Sequence, residues 1–127
     1  IYLAVLNGVP GEASGTIDMP LLKTSTREDG WRMVHDATGK AAVSHWETVK
    51  VHDGRALVRF KPETGRTHQL RVHAATGLGI AIAGDPVYGD GVGPMMLHAQ
   101  SIRIKRAGKD DVFAESPLPE RFTAAGF

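Results

Sequence analysis

Short apolar or alternating runs, separated by clusters of turn formers, make up most of this chain, and that pattern predicts strands more than helices. Ile1-Tyr2-Leu3-Ala4-Val5-Leu6 reads as a strand that stops at Asn7-Gly8-Val9-Pro10-Gly11. Gly15-Thr16-Ile17-Asp18-Met19-Pro20-Leu21 holds a short extended segment stopped by Pro20, and Trp31-Arg32-Met33-Val34-His35 alternates weakly before a turn at Ala37-Thr38-Gly39. The strongest local signal is a hairpin, Ala42 to Val51 and Arg55 to Lys61, joined by His52-Asp53-Gly54, since Asp-Gly supplies the positive φ angles a tight turn needs. In its second arm Ala56, Val58 and Phe60 share one face, and Arg55, Leu57, Arg59 and Lys61 share the other, so three cations line one side of a strand.

Pro62 ends that strand because it cannot donate to a ladder. Thr64-Gly65-Arg66-Thr67 then leads into a short predicted helix, His68 to Thr76, capped by Thr67 and ended at Gly77. Gly79 to Ala83 is expected as a buried strand, Gly84 to Gly91 as a loop, Met95 to Lys105 as the last substantial strand, and Glu115 to Glu120 as an extended surface tail. No repeat or linker interrupts this order. The fold class expected is α/β in the α+β sense: a mixed, mostly antiparallel sheet with few helices.

A length of 127 residues suits one domain, or one part of one. The chain opens on Ile1 and enters a strand at once, which reads as the edge of a fragment. With no cysteine, disulfide scaffolds, thiolate metal sites and cysteine nucleophiles are excluded, and the absence of a leader pattern points to the cytoplasm. No apolar run approaches the roughly 20 residues of a membrane-spanning helix, so no membrane partner is expected. Net charge is only +1, but it is unevenly spread: Arg32 to Arg71 carries eight bases against four acids, while Asp110 to Glu120 carries four acids and no base. Such a division can build a positive face that attracts phosphates.

Most catalytic patterns fail on spacing. His68 and His73 stand five apart, about 140° from each other on a helix, which does not suit zinc. Gly89, Gly91 and Gly93 do not form a dinucleotide fingerprint, and Thr64-Gly65-Arg66-Thr67 lacks the lysine of a triphosphate loop. Asp85 and Asp90 bracket a proline-glycine loop and read as turn caps rather than an acid pair. What remains is Lys61 to His73, where Arg66, His68 and Arg71 crowd into a loop and the first turns of a helix. With Arg59 and Lys61 they suit a pocket for phosphate or for holding a carboxylate, or else they form surface ion pairs with Glu47 and Glu63.

Lys61-Pro62-Glu63-Thr64-Gly65-Arg66-Thr67-His68-Gln69-Leu70-Arg71-Val72-His73, followed by Ile82-Ala83-Gly84-Asp85-Pro86-Val87-Tyr88-Gly89 and Leu97-His98-Ala99, resembles the carboxy-terminal part of the catalytic domain of RluA-type pseudouridine synthases. Tyr2-Leu3-Ala4-Val5-Leu6-Asn7-Gly8 is similar to the same family's tyrosine-bearing strand. The resemblance implies isomerisation of uridine in RNA to pseudouridine with no metal or organic cofactor. It implies a catalytic aspartate paired with an arginine, at the position of Arg71, and a tyrosine packed on the target base, at the position of Tyr2. Arg59, Lys61, Arg66 and His68 are the candidate RNA contacts. The family's aspartate lies in a His-Arg-Leu-Asp type motif that these residues do not contain, so residues 1–127 are expected to be the carboxy-terminal portion of one catalytic domain, inactive alone. The alternative is a non-catalytic RNA-binding module of the same fold. The partner expected is RNA, large-subunit ribosomal RNA ahead of transfer RNA, and the chain is expected to be a monomer.

Overall fold

Asp53 and Gly54, with φ of 52° and 74°, close the two-residue turn of the central hairpin, where His52 pairs with Arg55. The computed structural model describes residues 1–26, 30–104, 107–110 and 112–127. In chain order the strands are β1 (Tyr2–Leu6), β2 (Ser14–Asp18), β3 (Leu21–Thr26), β4 (Gly30–His35), β5 (Val43–His52), β6 (Arg55–Pro62), β7 (Leu97–Ala99), β8 (Ser101–Ile104) and β9 (Val112–Glu115). The helices are α1 (Gln69–Val72), continued by a π-helical segment at His73–Leu78, and α2 (Glu120–Ala124). A five-stranded sheet has the order β2-β5-β6-β1-β7, and β3-β4 and β8-β9 form separate pairs. Every described pairing is antiparallel, so the α+β class expected from the pattern is the one observed.

Because β-strand side chains alternate, the register divides the core in two. Tyr2 pairs with Phe60 and Ala4 with Val58, and on this face Ala4, Leu6, Val58 and Phe60 pack against Leu70 and Ala74 of the helical segment. On the opposite face Leu3, Val5 and Leu57 pack against Met96 and Phe122. Leu57, which shares its face with the cations Arg55, Arg59 and Lys61, is therefore core, covered by α2.

Four local expectations are corrected. Thr67 does not cap the helix; His68 takes the left-handed conformation (φ 54°) before it, and the chain turns first through a bond from the Gln69 N–H to the Arg66 carbonyl. Gly77 does not end it either. A Cβ there would lie 2.8 Å from the Ile17 side chain, so the glycine permits close packing while the helix runs on to Gly79, at φ 71°. Gly79 to Ala83 is buried at Ile82 and Ala83 but joins the sheet only through a single bridge, Leu6 to Ile82. Met95 to Lys105 is broken at Gln100, because the Gln100 and Ser101 N–H groups both bond to the Ile1 carbonyl and turn the chain off the sheet edge; Lys105 lies outside the described residues. The tail is extended as far as Pro119 and then forms α2, whose Phe122 is fully buried.

A polar network ties the helical segment to the sheet. Gln69 Nε2 donates to the Val43 carbonyl (3.0 Å) and to Ser44 Oγ (2.9 Å), while its Oε1 accepts from Thr64 Oγ1 (2.7 Å) and the Arg66 N–H (3.0 Å). Ser44 Oγ meets His73 Nδ1 at 2.8 Å, and His73 Nε2 meets the Met19 carbonyl at 3.0 Å. A carbonyl can only accept, so Nε2 carries the proton, Nδ1 accepts from Ser44, and the buried imidazole is neutral. Burial lowers the His73 pKa from its ordinary value of 6.5, although the bond to Met19 opposes the shift.

Two predictions follow from this packing. Phe122→Ala is expected to cost about 3 kcal/mol in urea unfolding, whereas Val92→Ala, at a site 72 % exposed, changes stability by less than about 0.5 kcal/mol. In the unfolded chain His73 takes up a proton near its ordinary pKa, but in the folded chain it resists, so stability is full above that value and falls as pH drops below it. Thermal melts from about pH 7.5 to about pH 5.5 should show this decline, and His73→Gln should make it shallower.

Candidate active site

Arg71 is placed by the helical segment beside the loop that follows Ile82, and there it meets Asp85, which is fully buried. Gly84 makes that loop possible. Its φ is 79°, and a Cβ would lie 2.0 Å from the Pro94 carbonyl oxygen, so only glycine allows the chain to turn the carboxylate inward. Arg71 Nε donates to Oδ2 at 3.0 Å and Nη2 to Oδ1 at 2.8 Å, a bidentate pair. Oδ1 also accepts from the N–H groups of Val87 (3.0 Å) and Tyr88 (3.1 Å). Burial pushes the carboxyl upward, but the bonds from Arg71 and the two amides outweigh it and hold the pKa below the ordinary value. Asp85 thus does cap its turn, as the loop composition predicts, and it is in addition the partner of Arg71. Spacing alone held no sign of that, since the two residues stand 14 apart and no periodic element joins them.

Asp85 takes the Nε–H and one N–H of Nη2, so both N–H groups of Nη1 and the second of Nη2 are left for a further acceptor among the described residues. Arg71 lines a cleft of about 360 Å³ together with Tyr2, Arg66, His68, Met95 and Leu97. Tyr2 is placed there by β1, whose register sets its side chain on the face of Phe60. The cleft brings together four of the six residues singled out in the sequence: Tyr2, Arg66, His68 and Arg71. Arg59 and Lys61 flank Phe60 in β6 and so lie on the other face of the sheet. Arg59 Nη1 is held by Glu47 at 2.6 Å, the surface pairing considered from the sequence, while Glu63 pairs with His45 (2.9 Å) instead of an arginine or lysine.

His68 is fixed by contacts that spacing did not indicate. Its Nδ1 lies 2.9 Å from the Tyr88 hydroxyl, which also accepts from the Met33 N–H at 2.9 Å. Its ring stacks on Trp31 with centroids 4.8 Å apart, and Tyr88 stands edge-on to it at 5.6 Å. Burial first, and then the charge of Arg71, lowers the His68 pKa, although Asp85 opposes the shift. The guanidinium groups of Arg32 and Arg71 each lie 5.2 Å from the Tyr88 ring centroid. Tyr88 therefore joins the β3-β4 pair, the helical segment and the Asp85 loop. His68 and His73 face different partners, and no group of three or more metal-ligating side chains is found among the described residues.

A tyrosine wall and a fixed arginine in one cleft suit a planar or anionic group. The model of a family described as RNA pseudouridylate synthase matches residues 1–76. The chain belongs to that family, in its RluA-type branch. It is 56% identical to an uncharacterized RNA pseudouridine synthase of Zymomonas mobilis over 99% of its own length and 59% of that protein. It is 39% identical to ribosomal large subunit pseudouridine synthase D of the same organism, over 69% of this chain and 27% of that protein. Among solved structures, human RNA pseudouridylate synthase domain containing 1 superposes with a TM-score of 0.77 at 32% identity, covering 91% of this chain and 53% of that one. The chain thus spans 59% of the uncharacterized Zymomonas synthase and 53% of the human structure.

Asp85→Asn keeps the turn cap but removes the charge opposite Arg71. It is expected to destabilise the fold by about 3 kcal/mol in denaturant unfolding, because a cation is left half-buried without its partner.

Proposed function

We propose that this chain is the carboxy-terminal portion of the catalytic domain of an RNA pseudouridine synthase, with large-subunit ribosomal RNA as substrate. The observation that carries the reading is the joint placement of Tyr2 and Arg71 in one cleft, with the guanidinium of Arg71 held on one edge by Asp85. In this reading the Tyr2 ring packs against the extruded uracil and replaces the stacking lost when the base leaves the RNA. Nη1 of Arg71 fixes the catalytic aspartate in its charged form while that carboxylate acts on the ribose. In this reading the aspartate comes from outside residues 1–127, because they hold no His-Arg-Leu-Asp type motif, and Asp85, beside Arg71, is fully buried with both oxygens already engaged by it. The N1–C1′ bond breaks, the base turns and C5 bonds to C1′; C5 loses its proton to solvent and N1 gains one, so the product is an isomer of the substrate. Arg66 and His68 contact the RNA at the cleft, whereas Arg59, held by Glu47, and Lys61 lie on the opposite face of the sheet and take no part there.

The test is tritium release from C5-labelled uridine in unmodified ribosomal RNA, with RNA binding followed in the same samples. Residues 1–127 alone are expected to bind without release; release would mean that the aspartate is among their own. In the protein that includes the His-Arg-Leu-Asp motif, Arg71→Ala should abolish turnover with RNA affinity largely kept, whereas Arg66→Ala should weaken affinity first. A protein with no such motif, binding RNA without release, would instead be the non-catalytic module.

A further inference from the structure

A second cleft, of about 410 Å³, opens between the β3-β4 pair and the loop before α1. Its wall carries three cations, Lys23, Lys40 and Arg66, along with Leu21 and Met33, and no acidic side chain among the described residues lines it. Lys23 and Arg66 are held at their side chains and Lys40 at its backbone. Lys40 is fixed at its backbone by reciprocal 2.9 Å bonds with Leu21, and Arg66 Nε donates to the carbonyl of the adjacent Ala41 at 2.8 Å. Lys23 Nζ sits 4.7 Å from the centroid of the Trp31 ring. Among the described residues none of the three forms an ion pair, whereas Arg59 and Arg71 each hold a carboxylate.

This cleft shares Gly65 and Arg66 with the cleft that holds Tyr2 and Arg71. A Cβ at Gly65 would meet nothing within 4 Å, so the ridge between the two is low and open. We infer that Lys23, Lys40 and Arg66 form a phosphate track, which takes the RNA backbone as it leaves the base cleft across Gly65. The inference rests on the RNA-modifying reading above and assigns it a direction: the strand passes beneath the β3-β4 pair. Cations that line one cleft, with no carboxylate among its described residues, suit successive phosphodiesters, and the apolar floor of Leu21 and Met33 gives a base edge no hydrogen-bond partner. The track is accordingly indifferent to sequence.

The experiment measures affinity for a fluorescein-labelled single-stranded oligoribonucleotide against salt concentration, for the chain and for a Lys23→Gln, Lys40→Gln double variant. A Lys50→Gln, Arg55→Gln pair removes the same charge from the far end of the hairpin. Loss of two phosphate contacts should reduce the slope of log K against log salt by about 1.4 and weaken binding about tenfold at low salt. The Lys50, Arg55 pair should change neither. Inorganic phosphate added at matched ionic strength should compete only weakly, since the track takes a chain of phosphates and not a single one; strong competition would make it a free-phosphate site and overturn the inference. Equal losses in the two double variants, or an unchanged slope in the first, would overturn it and leave the RNA reading standing. An unaltered chain with no salt-dependent RNA binding would sink both.

Discussion

A buried carboxylate sets the terms for this structure. Asp85 has no exposed surface, and a charge in that position is tolerable only if it is neutralised and hydrogen-bonded. Arg71 supplies two of its bonds and the Val87 and Tyr88 amides supply the others, so the helical segment and the Asp85 loop are fixed against one another at a single point. The pair itself adds little net stability by its Coulomb energy, since desolvation consumes most of it. What it provides is geometry: a guanidinium held along one edge by Asp85, on a residue that lines the cleft.

The neighbouring Gln69, Ser44 and His73 solve a related problem by different means. Where the loop from Thr64 to His68 approaches the sheet, the buried Gln69 side chain answers the Arg66 N–H and the Val43 carbonyl together with the hydroxyls of Thr64 and Ser44. That arrangement needs a neutral imidazole at its far end. The same network that locates the Arg66 loop thereby couples it to the protonation state of His73.

Charge on this molecule is organised by the two faces of one sheet. Alternation along β6 sends Arg59 and Lys61 away from Tyr2, although the three are close in the strand register. The cations that do gather near the cleft come from separate elements: Lys23 from β3, Lys40 from the turn before β5, and Arg66 from the loop before α1. A net charge of +1 conceals this, because it sums acids and bases wherever they lie; Glu47 and Glu63, for example, are paired with Arg59 and His45.

Local chemistry made much of this protein legible in its sequence. Asp53-Gly54 specifies its hairpin because both residues accept positive φ, alternation in β6 specifies its two faces, and the block from Lys61 to His73 with Tyr2 marks the cleft by resemblance. The tertiary structure alone decided the rest, for reasons that involve distance along the chain. Asp85 becomes the partner of Arg71 only when Gly84 turns the loop inward, Gly77 serves packing against Ile17 rather than helix termination, and α2 forms where Phe122 finds Leu3 and Leu57 to cover. Each of these depends on a contact between residues far apart in sequence, and no propensity or spacing rule carries that information.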